Sequence, residues 1–300
     1  MFPMPKHTRG WRSLRPARRR PQLLILVVAA ALLLSAATAA SAATAAAADT
    51  GTNAHPTAGP KPTIVLVHGA WADSNGWDTE ITTLTALGYT VVPIANPLRG
   101  LSSDSDYVRA RLEQISGPIV LVGHSYGGAV ITNAARGVPN VKALVYVAAF
   151  APAEGESLAT ILPADRYPGS HLDPSKLDVV PVPNPAAPSG QDVDLYIKPA
   201  YFRDIFAGDV SDHEATLEAA TQRPFANTAF TEPSGQPAWT TIPSWDLISL
   251  DDHAISPAGQ TFMAQRMHAT TIAVHSAHDI MISHPAAVDE IILRAATAIR

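Results

Sequence analysis

Pro118-Ile119-Val120-Leu121-Val122-Gly123-His124-Ser125-Tyr126-Gly127-Gly128-Ala129-Val130-Ile131 is the stretch that decides how this chain folds. An apolar run long enough for a buried strand ends at Val122, and a small, apolar helical pattern starts at Tyr126. Between them the chain must reverse within three residues. Gly123 and Gly127 permit that because neither brings a Cβ into the turn. The serine between them is lifted above the end of the strand, with a helix N-terminus behind it. This is the G-x-S-x-G pattern of a nucleophile elbow, found between the strand and the helix that the motif requires.

On both sides of this unit the chain alternates apolar runs with helical spacing. Thr63 to Val67 and Tyr89 to Ala95 read as strands, with a helix over Trp77 to Leu87 between them that stops at Gly88. A helix over Asp104 to Ile115, capped by Ser103 or Asp104, leads to the elbow strand, and Val141 to Ala149 follows as another continuous apolar run. Continuous apolar strands separated by helices imply a mostly parallel sheet covered on both faces. The rhythm breaks between residues 152 and 240, where proline is frequent and only short helices such as Pro199 to Phe206 and Asp212 to Thr221 are visible. It resumes with strands Ile242 to Leu250 and Thr271 to His275, and with helices Pro257 to Met267 and Pro285 to Ile299. The expected architecture is thus an α/β core over 63–151 and 241–300, with 152–240 inserted as a cap over the carboxyl edge of the strands. Open α/β sheets take their ligands at that edge.

The N-terminus has a different character. Arg9, Arg12, Arg15 and Arg18-Arg19-Arg20 precede the apolar stretch Leu23 to Leu34 and then Ala40-Ser41-Ala42. This order of basic, apolar and small residues reads as a secretory signal peptide over 1–42, with the mature chain starting between about residues 43 and 49. A flexible leader, 43–62, follows it. Leu23 to Ala48 is also long enough to form an uncleaved anchor. The first 42 residues hold seven of the 21 Lys and Arg and no Asp or Glu, so the remainder carries 14 basic against 26 acidic side chains, a net charge of −12. Such a chain repels phosphate backbones and anionic lipid, which excludes nucleic acid as a partner and disfavours stable membrane insertion once the signal is removed. The chain contains no cysteine, so a catalytic thiol and a disulfide framework are both excluded.

A serine hydroxyl needs a base to remove its proton, and the base needs an acid to orient it. After an elbow serine the chain order is acid, then histidine. Asp251-Asp252 lies at the end of the strand Ile242 to Leu250, and His278 lies just past Thr271 to His275. Spacing alone leaves Asp251 and Asp252 open. His124 points away from Ser125 and reads as a packing residue, His275 as a core or edge residue of its strand, and His284 as a helix start. The oxyanion of the reaction needs two preorganised donors. These are expected from the N–H groups of Tyr126, after the serine, and of Ala70, in the loop opened by His68-Gly69. Trp71 and His253 are expected to line the substrate site, with an apolar wall from Tyr201, Phe202, Phe206, Phe225 and Trp239. The trio calls for no metal and no cofactor.

His68-Gly69-Ala70-Trp71, Trp77, Asn96-Pro97-Leu98-Arg99-Gly100 and the run from Val122 to Val130 resemble the α/β-hydrolase superfamily over roughly residues 63–299. The resemblance is to the branch that holds plant methyl-ester esterases, hydroxynitrile lyases and bacterial esterase-like members. It implies the α/β-hydrolase fold, Asp252 as the acid through Asp252-His253-Ala254-Ile255, and His278 as the base. Gly69 and Asp279 stand where the lyases carry a threonine and a lysine, which argues against lyase chemistry. Ser125 in place of an aspartate argues against haloalkane dehalogenase and epoxide hydrolase chemistry. The expected activity is therefore hydrolysis of a small-molecule carboxylic ester through an acyl-enzyme, by an exported protein of undetermined oligomeric state. The alternatives are C–C or amide hydrolysis by the same trio, or a secreted binding protein that has lost turnover.

Overall fold

The apolar runs around the elbow pair side by side in the computed structural model, which describes residues 59–163, 165–184 and 189–300. The predicted signal peptide lies outside the described residues, as does most of the leader. In chain order the first half runs β1 (Thr63–Val67), α1 (Asp78–Ala86), β2 (Val91–Ile94), α2 (Leu101–Leu112), β3 (Ile119–His124), α3 (Tyr126–Ala134) and β4 (Val141–Val147). The intervening segment carries α4 (Leu158–Ile161), β5 (Leu177–Pro183), β6 (Gln191–Ile197), α5 (Pro199–Ile205), α6 (Asp212–Thr221), β7 (Phe225–Ala226) and α7 (Asn227–Thr231). The chain then closes with β8 (Ser244–Ser249), α8 (Pro257–Arg266), β9 (Thr270–Val274), α9 (Ile280–Ser283) and α10 (Pro285–Ala298).

Six strands form one parallel sheet in the order β2-β1-β3-β4-β8-β9. Alternate residues of each strand serve opposite faces. Val65, Val67, Leu121, Leu144 and Tyr146 pack with Leu101 and Val108 of α2 and with Ala129 and Val130 of α3. Ile64, Leu66, Val120, Val122 and Val145 pack on the other face with Leu84 of α1 and with Val288, Ile291 and Ile292 of α10. Both faces are covered, which is why the strands read as unbroken apolar runs rather than as alternating ones. The chain leaves β1 toward β2 and returns to β3 on the opposite side of β1. That reversal opens a crevice at the carboxyl ends of β1 and β3, where Val67 pairs with Gly123.

Two elements depart from expectation. Helix α2 starts at Leu101 with Gly100 as its cap rather than at Ser103 or Asp104. Asp104 is buried and its carboxylate accepts from the Arg99 N–H instead, so the predicted cap residue serves a tertiary contact. The intervening segment also holds a three-stranded antiparallel sheet, β5-β6-β7, that the proline-rich composition concealed. Pro181 and Pro183 sit in β5, an edge strand, where a missing N–H costs no ladder bond. Among the described residues, no helix is long and apolar enough to cross a membrane.

Candidate active site

The strand-to-helix reversal leaves Ser125 at φ 53°, ψ −124°, a conformation that side chains other than glycine rarely adopt. Neighbouring backbone fixes it there. The Ser125 N–H donates to Val147 O at 3.2 Å, and Ser125 O accepts from Gly128 and Phe150 at 3.0 and 3.1 Å. A Cβ at Gly127 would fall 2.4 Å from Val67 O, and one at Gly123 would fall 2.5 Å from Gly127 O, so both elbow glycines are required by close backbone approach.

His278 follows β9 and Asp252 follows β8, and both are fully buried. His278 Nδ1 lies 2.7 Å from Asp252 Oδ2, and His278 Nε2 lies 2.9 Å from Ser125 Oγ. The carboxylate can only accept, so Nδ1 carries the proton and Nε2 is free to accept from the serine hydroxyl. Asp252 Oδ1 accepts from the N–H groups of Ala254 and Ile255 at 2.7 and 2.9 Å, and Oδ2 accepts from Gln260 Nε2 at 2.7 Å. Every lone pair facing the protein is thereby used. Asp251, which spacing could not separate from Asp252, points outward and pairs with His275 at 3.2 Å; both side chains are largely exposed. The placement of His275 inside a strand is corrected accordingly, because β9 ends at Val274. His124 is buried at the end of β3. Burial, reinforced by its neighbour His278, holds it well below its ordinary pKa, so the neutral ring can donate from Nε2 to His278 O at 3.0 Å.

The loop after β1 lies directly against the serine. A Cβ at Gly69 would fall 2.5 Å from Ser125 Cβ, so the residue that precedes Ala70 must be bare. His68 sets the loop's shape. Burial lowers its pKa to about 4, so it is neutral at physiological pH. Its Nδ1–H donates to Gly69 O at 2.9 Å, and its Nε2 accepts from the Asn96 N–H at 2.9 Å and faces Arg223 Nη1 at 3.2 Å. Arg223 arrives from the segment between α6 and β7, and also binds Asn96 O through Nη1 and Trp71 O through its backbone N–H. Neither the Ala70 nor the Tyr126 N–H donates to another backbone group among the described residues. The Tyr126 side chain is anchored on the far side, donating to Asp104 Oδ2 at 2.7 Å.

A narrow cavity opens beside Ser125, with about 270 Å³ of empty space including its mouth. Ala70, Trp71 and Tyr126 line it near the serine, and Phe150, Leu158, Leu162, Leu172, Phe225, Phe230, Ala254 and Ile255 complete an almost wholly apolar wall. Of the expected wall residues only Phe225 takes part. Phe206 stacks edge-on against His278 with centroids 4.9 Å apart, and Phe202 packs behind it. Trp239 donates to Pro152 O, and Tyr201 is exposed. His253 is likewise not in the wall, because its ring turns outward to Asp204 while the next two residues, Ala254 and Ile255, turn in. Gln260, Arg223, Leu172 and Phe230 were invisible to sequence reading, since no local pattern marks a residue that acts across the fold.

Residues 64–291 match the model of the alpha/beta hydrolase family. The carbendazim hydrolyzing esterase of Nocardioides sp. (strain SG-4G) is 37% identical over 116 residues, a stretch that covers 33% of this chain and 47% of that protein. Among solved structures, a pyrethroid hydrolase from Sphingobium faniae JZ-2 shares the fold at 22% identity and a TM-score of 0.66, covering 79% of this chain and 98% of that one. The methylesterase MES16 from Arabidopsis shares it at 18% identity and a TM-score of 0.64, with 79% and 99% covered. The resemblance to the plant esterase branch therefore finds a plant methylesterase among its structural neighbours. With its parallel sheet and its serine at the strand-to-helix turn, the chain belongs to the alpha/beta hydrolase family.

Proposed function

We propose that this protein is an exported serine hydrolase of carboxylic esters, with Ser125 as nucleophile, His278 as base and Asp252 as acid. The reading is carried by one observation: a single imidazole spans Ser125 Oγ at 2.9 Å and Asp252 Oδ2 at 2.7 Å, with its two nitrogens in opposite roles. Ser125 Oγ attacks the ester carbonyl carbon while its proton passes to His278 Nε2. The carbonyl oxygen becomes an oxyanion, held by the N–H groups of Ala70 and Tyr126. Asp252 stabilises the imidazolium, which then gives its proton to the departing alkoxide. An acyl-serine is left. Water attacks that ester, with His278 Nε2 taking its proton, and the acid leaves as Ser125 recovers its hydrogen. The balance is ester plus water to acid plus alcohol, with no redox change.

The almost wholly apolar wall beside Ser125 favours a hydrophobic acyl or alcohol group, since polar substituents would find few partners there. The esterase and methylesterase names among the relatives support an ester as the bond cleaved. Export is supported by the basic, apolar and alanine-rich order of the first 42 residues. Hydrolysis of p-nitrophenyl esters across acyl lengths, with Ser125→Ala alongside, tests the proposal. Turnover that Ser125→Ala abolishes, with labelling of Ser125 by a fluorophosphonate, supports it. Turnover that survives the substitution, or a wild-type protein that neither turns over nor labels, overturns it.

A further inference from the structure

His171, Asp204 and His253 come from three separate parts of the chain and meet away from the serine. His171 lies in the loop between α4 and β5, Asp204 in α5, and His253 directly after Asp252. His171 Nδ1 is 3.1 and 2.9 Å from the two Asp204 carboxylate oxygens. His253 Nδ1 is 3.2 Å from Asp204 Oδ1 and 3.0 Å from the Asp204 backbone oxygen. The two rings lie face to face with centroids 3.8 Å apart and planes 31° from parallel. One ligand atom from each side chain can be chosen so that all three lie within 4.8 Å of one another.

We propose that these three side chains form a binding site for a divalent first-row transition metal ion, zinc above all, that clasps the inserted segment to the loop carrying Asp252. Bonds of about 2.0–2.1 Å from a tetrahedral zinc set its ligand atoms roughly 3.3 Å apart, close to the nitrogen–oxygen spacings seen here. Two imidazoles and one carboxylate suit zinc, copper or nickel, whereas calcium and magnesium require oxygen ligands. Each side chain is 40–47% exposed, so water can complete the coordination shell and the ion has an entry path.

The backbone around the site is already tied together. The His171 N–H donates to His253 O at 2.6 Å, and Ser170 Oγ donates to Ala254 O at 2.8 Å. Ligand loops laced in this way need little ordering when the ion binds, which favours affinity. Without an ion, Nδ1–H of His171 can donate to the carboxylate and Nδ1–H of His253 to the Asp204 carbonyl. Metal binding replaces those protons, which move to Nε2 by tautomer exchange and keep each ring neutral. Apart from these N–H exchanges, only coordination bonds form, and the step involves no redox change.

Zinc binding to the chelator-stripped protein, followed by isothermal titration calorimetry, is the direct test. The expected result is one ion per chain with a dissociation constant below about 10 μM. His171→Gln and His253→Gln should each weaken binding roughly tenfold or more, and the double variant should abolish it. Zinc should raise the Tm of the wild type and leave that of the double variant unchanged. Binding of equal strength in the double variant, or no binding at about 0.1 mM zinc, overturns the proposal. Cobalt(II) added to the wild type gives a readout that needs no variant. An intense visible band of tetrahedral coordination supports the site, and the weak spectrum of a hexa-aqua ion refutes it.

Discussion

Gln260 Nε2 donates at 2.7 Å to the same Asp252 oxygen that faces His278 Nδ1, so one oxygen holds both the imidazole and a glutamine from the helix that follows. The same Gln260 accepts from the Ser249 N–H at 3.0 Å and donates to Ile255 O at 2.8 Å. The Asp252 carboxylate is thus fixed by a side chain wedged between the end of β8 and the first turns beyond it. Removing a donor from a buried carboxylate costs about 1.5–3 kcal/mol. Gln260→Leu should lower kcat roughly 10–100-fold with KM little changed, as expected of a positioning residue. Steady-state kinetics on a p-nitrophenyl ester read that split; a change confined to KM would show that Gln260 does not position the acid.

Asp252→Asn should reduce kcat by about 10⁴-fold, because a buried amide cannot hold His278 in the required tautomer. Asp251→Asn should stay within about twofold of the wild type, since its exposed pair with His275 is of little energetic weight. Measuring both variants side by side decides between the two aspartates, and the reverse ranking transfers the role to Asp251.

This pair also shows where sequence reading stops. Strand β1, the elbow and the strand-end position of His278 were legible because each depends on a local pattern: an apolar run, flanking glycines, a loop after a strand. Asp251 and Asp252 sit one residue apart at the same strand end, and only the tertiary path of the β8 loop turns one inward. The start of α2 was misplaced for a similar reason. Asp104 has the residue type of a cap, yet a distant hydroxyl, that of Tyr126, claims its carboxylate. The β5-β6-β7 sheet escaped because prolines on an edge strand look like loop.

Leu172→Ala and Phe230→Ala should widen the cavity beside Ser125 and shift the preferred p-nitrophenyl ester toward longer acyl chains. Rates across an acyl series test this. An unchanged optimum in both variants would mean that the chain is accommodated elsewhere.

Glu80 of α1 is fully buried against α10, and neither of its carboxylate oxygens has a hydrogen-bond partner. Burial, with a further push from Asp289, raises its pKa from 4.5 to about 8; burial raises Asp289 to about 6. A protonated native Glu80 contributes stability that is fully present below its ordinary pKa and is lost as pH rises through about 8. Each pH unit within that window can cost up to about 1.4 kcal/mol for one proton. Thermal unfolding of the wild type should therefore move to lower temperature between pH 5 and pH 8, and Glu80→Gln should flatten that dependence. Parallel slopes in the two proteins would refute the assignment.

Arg223 has a consequence for anyone who would exchange parts between members of this family. Its guanidinium and backbone reach out of the inserted segment to His68, Asn96 and Trp71, which shape the loop against the serine. The insertion is therefore not an interchangeable module placed on a finished machine. A graft from another hydrolase that brings a new specificity but no equivalent arginine would leave a fold with its serine in place and a loop without its keystone.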